Sequence, residues 1–498
     1  MRTDFFPEPR LEFGGGGFHI DVRFGLLDHG PVDRGTNLVP SDLKVAIVGT
    51  EETVHGIRTW LDRAKSGIEA KASKKPHLFP AFPGFSKEKC FGAEVITHDR
   101  WCETIPKREI AGLLNVTDKG DLVSEAVDLF LSAAHDVLDQ GGPLVLICAP
   151  PSDLLASLDV QRSSSIDRAE KELDEGGDEG EDGDEAIGTR NSSFPPFHDL
   201  LKAQGMRLPV PIQMIRPHTY QRAKRQRSQS SPQAQAPLQD EATRAWNLHV
   251  ALYYKAGGIP WRLPRNPSAL TSCFIGISFY RSSDRERLLS SVAQVFNERG
   301  EGIIVRGGVA HLDKEDRQPH LLEEDTYVLL RDALEIYRRE HKTLPARLVV
   351  HKTSAYTENE LQGVLSAAND AGVGVIDIMG IRRSLTRLLR KGTYPPLRGT
   401  YLELDDMRAI IYLRGSVDFF RTYPGLYVPR PLEIELAEGD TTLENMGREV
   451  LRLSKLNWNN TQFDGGEPMT LRAARKVGDI LKWMPACDDP QPSFRFFM

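Results

Sequence analysis

Residues 346–379 run ARLVVHKTSAYTENELQGVLSAANDAGVGVIDIM. The β-branched stretch at 346–351 predicts a strand. The segment 357–371 has helical spacing, and 373–379 returns to a short apolar strand pattern. Outward from this unit the same alternation continues. Strands are expected near 272–279 (SCFIGISF) and 302–309, and helices near 283–299 and 321–340. Residues 400–414 read as two strands turning at Asp405-Asp406, and helices near 441–454 and 468–484 follow. On the N-terminal side, Leu43–Thr50 predicts a strand, 51–65 a helix, Asp121–Gln140 a helix and Pro143–Ala149 a buried strand. Strands alternating with helices imply α/β layers with largely parallel strands. The Pro-rich stretch Gly257–Pro267 places a boundary near 265, dividing the chain into 1–265 and 266–498.

Composition restricts the class. The 498 residues are 40% hydrophobic and 27% charged, and no apolar run reaches membrane-helix length. Met1–Glu8 lacks the basic-then-apolar order of a secretory signal, and the five cysteines form no CxxC pair. No membrane association, no disulfide framework and a reducing cytoplasm are expected. The formal charge of −7 is unevenly placed. Asp167–Glu185 holds 11 acids and two bases, so the rest of the chain stands at +2 and can carry a local basic surface. Two segments, about 161–192 and about 222–243, have too little apolar content to fold and read as disordered insertions.

A pocket for a terminal phosphate needs several donors converging on one dianion. His198 and Lys202 stand four apart in Phe197-His198-Asp199-Leu200-Leu201-Lys202, so a helix would turn both to one side. A second basic group, Arg382, Arg383, Arg387, Arg390, Lys391 and Arg398, lies within 382–398, and a third, Arg338, Arg339, His341 and Lys342, reads as a solvated face. The Gly-rich run Phe13–Phe18 lacks a GxxxxGK[ST] pattern and is no nucleotide loop.

From about 268 onward the order of segments resembles a PIWI domain. It rests on FIGIS (274–278), LVVHKTSAYTENE (348–360), Tyr423–Leu432, and above all Leu456-Asn457-Trp458-Asn459-Asn460-Thr461-Gln462 followed by Pro468 and an amphipathic helix. The part before 265 resembles a MID domain. Together they resemble a short prokaryotic Argonaute, without room for N and PAZ domains. That resemblance implies an α/β fold, a Rossmann-like MID domain (1–265) followed by an RNase H-like PIWI domain (266–498).

The resemblance also implies site residues. His198, Lys202, Gln213 and Lys255 match the positions that hold a guide's 5′ phosphate, with Mg²⁺ shared by Gln213 and the carboxylate of Met498. Two-metal cleavage needs several carboxylates, yet Ser278 and Thr353 stand where the first two belong, and 469–472 (MTLR) offers neither Asp nor His. Glu323 or Glu324 matches a mobile glutamate. No slicer activity is expected, so the chain is not itself an enzyme. Arg382, Arg383, Arg387, Arg390 and Lys391 fall where the family passes the nucleic-acid backbone. The partners implied are a guide RNA, a complementary single-stranded DNA of an invader, and an effector protein. That effector would carry a PAZ-like analogue region and a sirtuin-like or TIR NAD-degrading domain, or a nuclease. Two alternatives remain: a guide-dependent endonuclease whose site is rebuilt from Asp284, Asp313 or Asp377, and a nucleic-acid-binding module that uses no guide.

Overall fold

The computed structural model describes residues 1–36, 41–158, 194–221, 239–264, 270–296, 302–314, 317–389, 391, 395–423, 428–485 and 488–498. The acidic insertion, most of the second insertion, the boundary at 265, Arg390 and Pro424–Tyr427 lie outside the described residues. The end of the second expected insertion is corrected. Glu241–Thr243 open a helix, because Asp240 caps it by accepting the Thr243 N–H at 3.1 Å.

The first sheet is organised by β4 (Asp42–Gly49). Its alternation feeds two cores. Leu43, Val45 and Ile47 pack with Trp60 and Trp246 on one face, while Ala46 and Val48 pack with Val123, Val127 and Phe130 on the other. A strand covered on both faces has no solvent side, which accounts for its nearly unbroken apolar sequence. β5 (Glu94–Ile96), β6 (Cys102–Thr104) and β7 (Val145–Ala149) pair with β4, and β8 (Ile212–Met214) pairs with β7, all parallel.

The helices described in this half are α1 (Val22–His29), α2 (Glu51–Ser66), α3 (Lys107–Leu113), α4 (Lys119–Leu138), α5 (Ser152–Leu158), α6 (Phe197–Gly205), α7 (Pro217–Tyr220) and α8 (Glu241–Lys255). α2 shows how local sequence sets the limits. Thr50 caps it, Glu51 and Glu52 meet its positive end, Arg63 and Lys65 its negative end, and Gly67 (φ 109°) terminates it. Between those limits Val54, Ile57, Trp60, Leu61 and Ala64 form the buried stripe.

The second sheet has ten strands. They are β1 (Arg2–Phe5), β9 (Ser272–Arg281), β10 (Leu288–Phe296), β11 (Gly302–Leu312), β12 (Pro319–His320), β13 (Arg347–Lys352), β14 (Val375–Arg383), β15 (Thr400–Glu403), β16 (Arg408–Ile411) and β17 (Leu432–Gly439). Their order is β1-β15-β16-β17-β14-β13-β9-β10-β11-β12. A two-stranded ribbon, β2 (Leu11–Glu12) with β3 (Phe18–His19), stands apart. α9 (Glu323–His341) and α10 (Glu358–Ala371) pack together over one core of the sheet. α11 (Leu443–Leu453) joins the core around β16, and α12 (Met469–Leu481) lies against β9, where Gly276 leaves room for the Thr470 backbone.

Two expectations are corrected here. Largely parallel pairing holds for the first sheet, but in the second only β9, β13 and β14 run parallel to their neighbours in that trio. The helix expected at 283–299 is instead the hairpin strand β10, paired with β9 along Leu288–Phe296. Leu288, Leu289 and Val292 do have helical spacing. Pairing on both edges, to β9 and β11, overrides it, and the buried Ser291 satisfies its hydroxyl by donating to Ala474 O at 2.8 Å. β1 also joins this sheet, Phe5 facing Thr400, although its sequence position is with the first half.

Candidate nucleic-acid interface

α6 and α8 each deliver one lysine of a buried cationic cluster, and β8 carries Gln213. Lys202 on α6 is 3% exposed, and its ammonium is buried with no hydrogen-bond partner among the described residues. Lys255, at the end of α8, is equally buried and donates to Met498 O at 2.6 Å. Burial pushes Lys255 down to about 7. Burial also holds Lys202 well below the usual ammonium range, and the charges of Lys255 and Lys476 push it further. Gln213 on β8 donates through Nε2 to Met214 O at 3.0 Å, leaving its buried Oε1 without a partner. His198 is half-buried, its Nδ1 2.8 Å from Asp199 Oδ1, and the Asp199 carboxylate favours the charge of Lys202. The structure thus brings Lys202, Lys255 and Met498 together, with His198 linked through Asp199.

This arrangement is electrostatically incomplete. Lys255 is met by the terminal residue Met498, but a buried ammonium without a partner, as at Lys202, costs several kcal/mol, roughly, and an entering anion would offset that cost. The donor set also suits a cation held mainly by a ligand's phosphate. Gln213 offers an unpaired oxygen and Met498 an oxygen that already accepts from Lys255, and Mg²⁺ binds through few protein oxygens plus phosphate.

Sequence reading missed the continuation of the pocket. Lys476 belongs to α12, a helix of the other half, and Arg472 and Arg475 stand on the same helix. Arg472 is 8% exposed, and both it and Arg414 keep a buried Nε without a partner. Burial and the nearby Arg414 push Arg472 down to about 10. Arg475 pairs with Glu467 and lies in the field of Arg383. The signal was present as Arg472, Arg475 and Lys476 spaced three and four apart, which puts them along one side of a helix.

The predicted 382–398 group divides. Arg383 and Lys391 are exposed. Arg382 pairs with Glu435 and Glu433 across the sheet, and Arg387 donates to Ser384 O at 2.9 Å. Arg398 is a core residue, 2% exposed, bound to Glu8 at 2.9 Å and to Ser454 Oγ at 2.8 Å. Lys455 meets the same Glu8 at 2.6 Å. Burial works to raise the Glu8 carboxyl, but Arg398 and Lys455 beside it hold it below the usual range.

The positions compared with a nuclease site also lie together. His351 faces Gly276 and Lys352 faces Ile277 in the β13–β9 register, which sets Thr353 level with Ser278. Around them, His351 Nδ1 lies 2.9 Å from Thr470 Oγ1, and Lys352 is sealed against both oxygens of Glu360 at 2.6 Å. Asp377 is fully buried and committed to Arg347 at 2.5 Å and Thr441 Oγ1 at 2.7 Å, whereas Asp284 sits in the turn before β10 and Asp313 is exposed. Glu323 and Glu324 are exposed at the start of α9. Among the described residues, no three His, Cys, Asp or Glu side chains gather as a metal-holding group.

The 456–462 segment locks the halves together. Trp458 donates to Trp261 O at 3.0 Å, Trp261 donates to Lys455 O at 3.0 Å, and Thr461 Oγ1 meets Asn247 Oδ1 at 2.9 Å. α1 is fixed within the first half: Asp21 accepts the Arg23 and Phe24 N–H groups, and Arg23 donates to Leu78 O. No described helix is long and apolar enough to cross a membrane.

No protein-family model and no curated protein matches the sequence. Solved structures do. Clostridium butyricum Argonaute, bound to a guide DNA with a 5′ deoxycytidine and a 19-mer target DNA, superposes with a TM-score of 0.60 at 15% identity. That match covers 100% of this chain and 55% of the other. Drosophila Piwi superposes with a TM-score of 0.58 at 14% identity, covering 99% of this chain and 56% of that one. The chain spans about half the length of the structures it matches. Over essentially its whole length, this chain has the fold shared by Argonaute and Piwi proteins.

Proposed function

We propose that this chain is a short Argonaute subunit that binds a guide strand by its 5′-phosphorylated end, presents it for pairing, and does not cut the paired strand. The observation that carries the reading is the buried, unpartnered Lys202 ammonium beside Lys255, with the orphaned oxygen of Gln213. A phosphate dianion would accept from the two ammonium groups, and the Gln213 oxygen, itself an acceptor, would be met by a cation. Mg²⁺ held by Gln213, Met498 and the phosphate would supply further charge neutralisation. Arg414, Arg472, Arg475 and Arg383 then offer backbone contacts, which are indifferent to sequence and sensitive to salt. Sequence is left to base pairing.

The lack of slicing is supported by Ser278 and Thr353, neutral hydroxyls side by side where a two-metal site needs carboxylates. A binder without chemistry needs an effector. Here the reading is a separate protein with a PAZ-like analogue region and an NAD-degrading or nuclease domain, switched on when guide RNA pairs with invading single-stranded DNA. Guide and target in the Clostridium butyricum Argonaute structure are both DNA. An RNA guide for this chain is therefore part of the proposal to be measured.

The test is to purify the full chain from cells and sequence the nucleic acid it retains. Short 5′-phosphorylated strands of uniform length, lost in a His198→Ala/Lys202→Ala double variant, are expected. Heterogeneous nucleic acid, unaffected by that variant, would support a binding module that uses no guide. Cleavage of a matched target in Mg²⁺ or Mn²⁺ would overturn the non-cutting reading.

A further inference from the structure

One aromatic ring connects the pocket to the 456–462 loop. Tyr254, the residue before Lys255, is 1% exposed. Its ring stacks on Trp458, with centroids 5.0 Å apart and planes within 13°. The guanidinium of Arg495 stands over the same ring at 5.6 Å and donates to Gly257 O at 3.4 Å. Arg495 lies three residues before Met498, whose oxygen receives the Lys255 ammonium. Asp33 holds the turn after α8, accepting from Ile259 N and from Tyr253 Oη, both at 2.7 Å. That turn needs Gly257, which adopts φ 110°.

A lysine side chain has a flexible four-carbon stem, so the placement of its ammonium depends on how firmly its backbone is held. Lys255 is the last residue of its helix, where ends fray unless tertiary contacts fix them. Those contacts here come from the other half of the chain and from its C-terminal segment. We propose that the Arg495–Tyr254–Trp458 sandwich is the positioning element of the phosphate pocket, so that preference for a phosphorylated strand end depends on the 456–462 loop. The proposal rests on the pocket reading above. Trp458 and Arg495 act through Lys255, and neither need touch the nucleic acid.

The experiment measures the affinity of the full chain for one oligonucleotide carrying either a 5′ phosphate or a 5′ hydroxyl. Trp458→Leu and Arg495→Met are each expected to lower the phosphate-to-hydroxyl affinity ratio about tenfold, comparable to weakening one hydrogen bond to a charged group, with hydroxyl-strand affinity unchanged. Trp458→Phe retains a stacking ring and is expected to restore the ratio to within about twofold. An unchanged ratio in Arg495→Met, a half-buried position where folding is not at stake, overturns the positioning role while leaving the pocket intact. Equal loss of both strands in Trp458→Leu without rescue by Trp458→Phe marks a structural role only and also overturns it. A wild-type chain that ignores the phosphate overturns the pocket reading itself, and the two failures are thereby distinct.

Discussion

Two buried polar regions, the proposed phosphate pocket and the site around Thr353, treat their buried lysines in opposite ways. In the second, each buried cation has its counterion. Lys352 meets both oxygens of Glu360, and at the far end of the same strand Arg347 forks to Asp377 and Glu449. In the first, Lys202 has no partner and Gln213 keeps an unpaired oxygen. A buried lysine whose charge is met within the fold has little need of a ligand, even though His351 Nε2 and Tyr356 Oη nearby keep no partner among the described residues. A region left open at a cost in stability is explained by something that arrives from outside.

The sharpest way to break this contrast is to damage the closed region. Lys352→Met removes the lysine from the buried Glu360, which keeps the N–H groups of Leu321 and Thr357, the Thr357 hydroxyl and His320, and is expected to cost roughly 3 kcal/mol of stability, read as a fall in the urea midpoint. Strand binding by the protein that remains folded should be unaffected. A Lys352→Met protein of full stability that has lost binding would reverse the assignment of the two regions.

The open region should respond the other way. Lys202→Met removes an unpaired buried charge, so the empty protein is expected to melt higher. It should also bind a 5′-phosphorylated strand about 10- to 150-fold more weakly, the range of one or two kcal/mol-scale charge-assisted hydrogen bonds. Lower stability together with intact binding would mean that Lys202 is an ordinary core residue.

A buried imidazole outside both regions gives a further comparison, over a pH range in which Lys255, held at about 7, also takes up its proton. His249 is buried among Phe82, Phe85 and Trp60, and burial pushes it down to about 4. Its folded value lies below the unfolded one, so unfolding takes up a proton at acid pH. Its contribution is complete above about pH 6.5 and is lost as pH falls from there toward 4. Between pH 6.5 and 5 the loss is about 2 kcal/mol at most. His249→Phe, stacking in the same aromatic nest, is expected to flatten that part of the stability curve, and an unaltered curve would show that another group controls it.

The smallest effect belongs to the track between the two regions. Arg472→Gln is expected to weaken every strand alike and to reduce the salt slope of binding by about one. A change confined to particular sequences would show base contact instead of phosphate contact.

What could be read in the sequence was local. The βαβ pattern at 346–379, the helix at 51–65, and the four-residue spacing of His198 and Lys202 all depend on near neighbours. The parts missed depend on residues far away. Nothing near 288–296 says that both strand edges will be occupied, and nothing near Arg398 announces Glu8 as its counterion. Lys476 was passed over because its role comes from a helix of one half reaching a pocket of the other.

The edge position of β1 has a consequence for how the protein is made. Phe5 leaves the ribosome early, but its partner Thr400 follows only when most of the chain has been synthesised. At roughly 5–20 residues per second, that strand waits on the order of 20–80 s with its backbone groups unpaired. Glu8 waits with it, while Arg398 and Lys455, the cations it will neutralise, have not yet appeared. The first eight residues therefore wait for partners far along the chain, and a nascent chain must keep an open sheet edge away from its neighbours until those partners emerge.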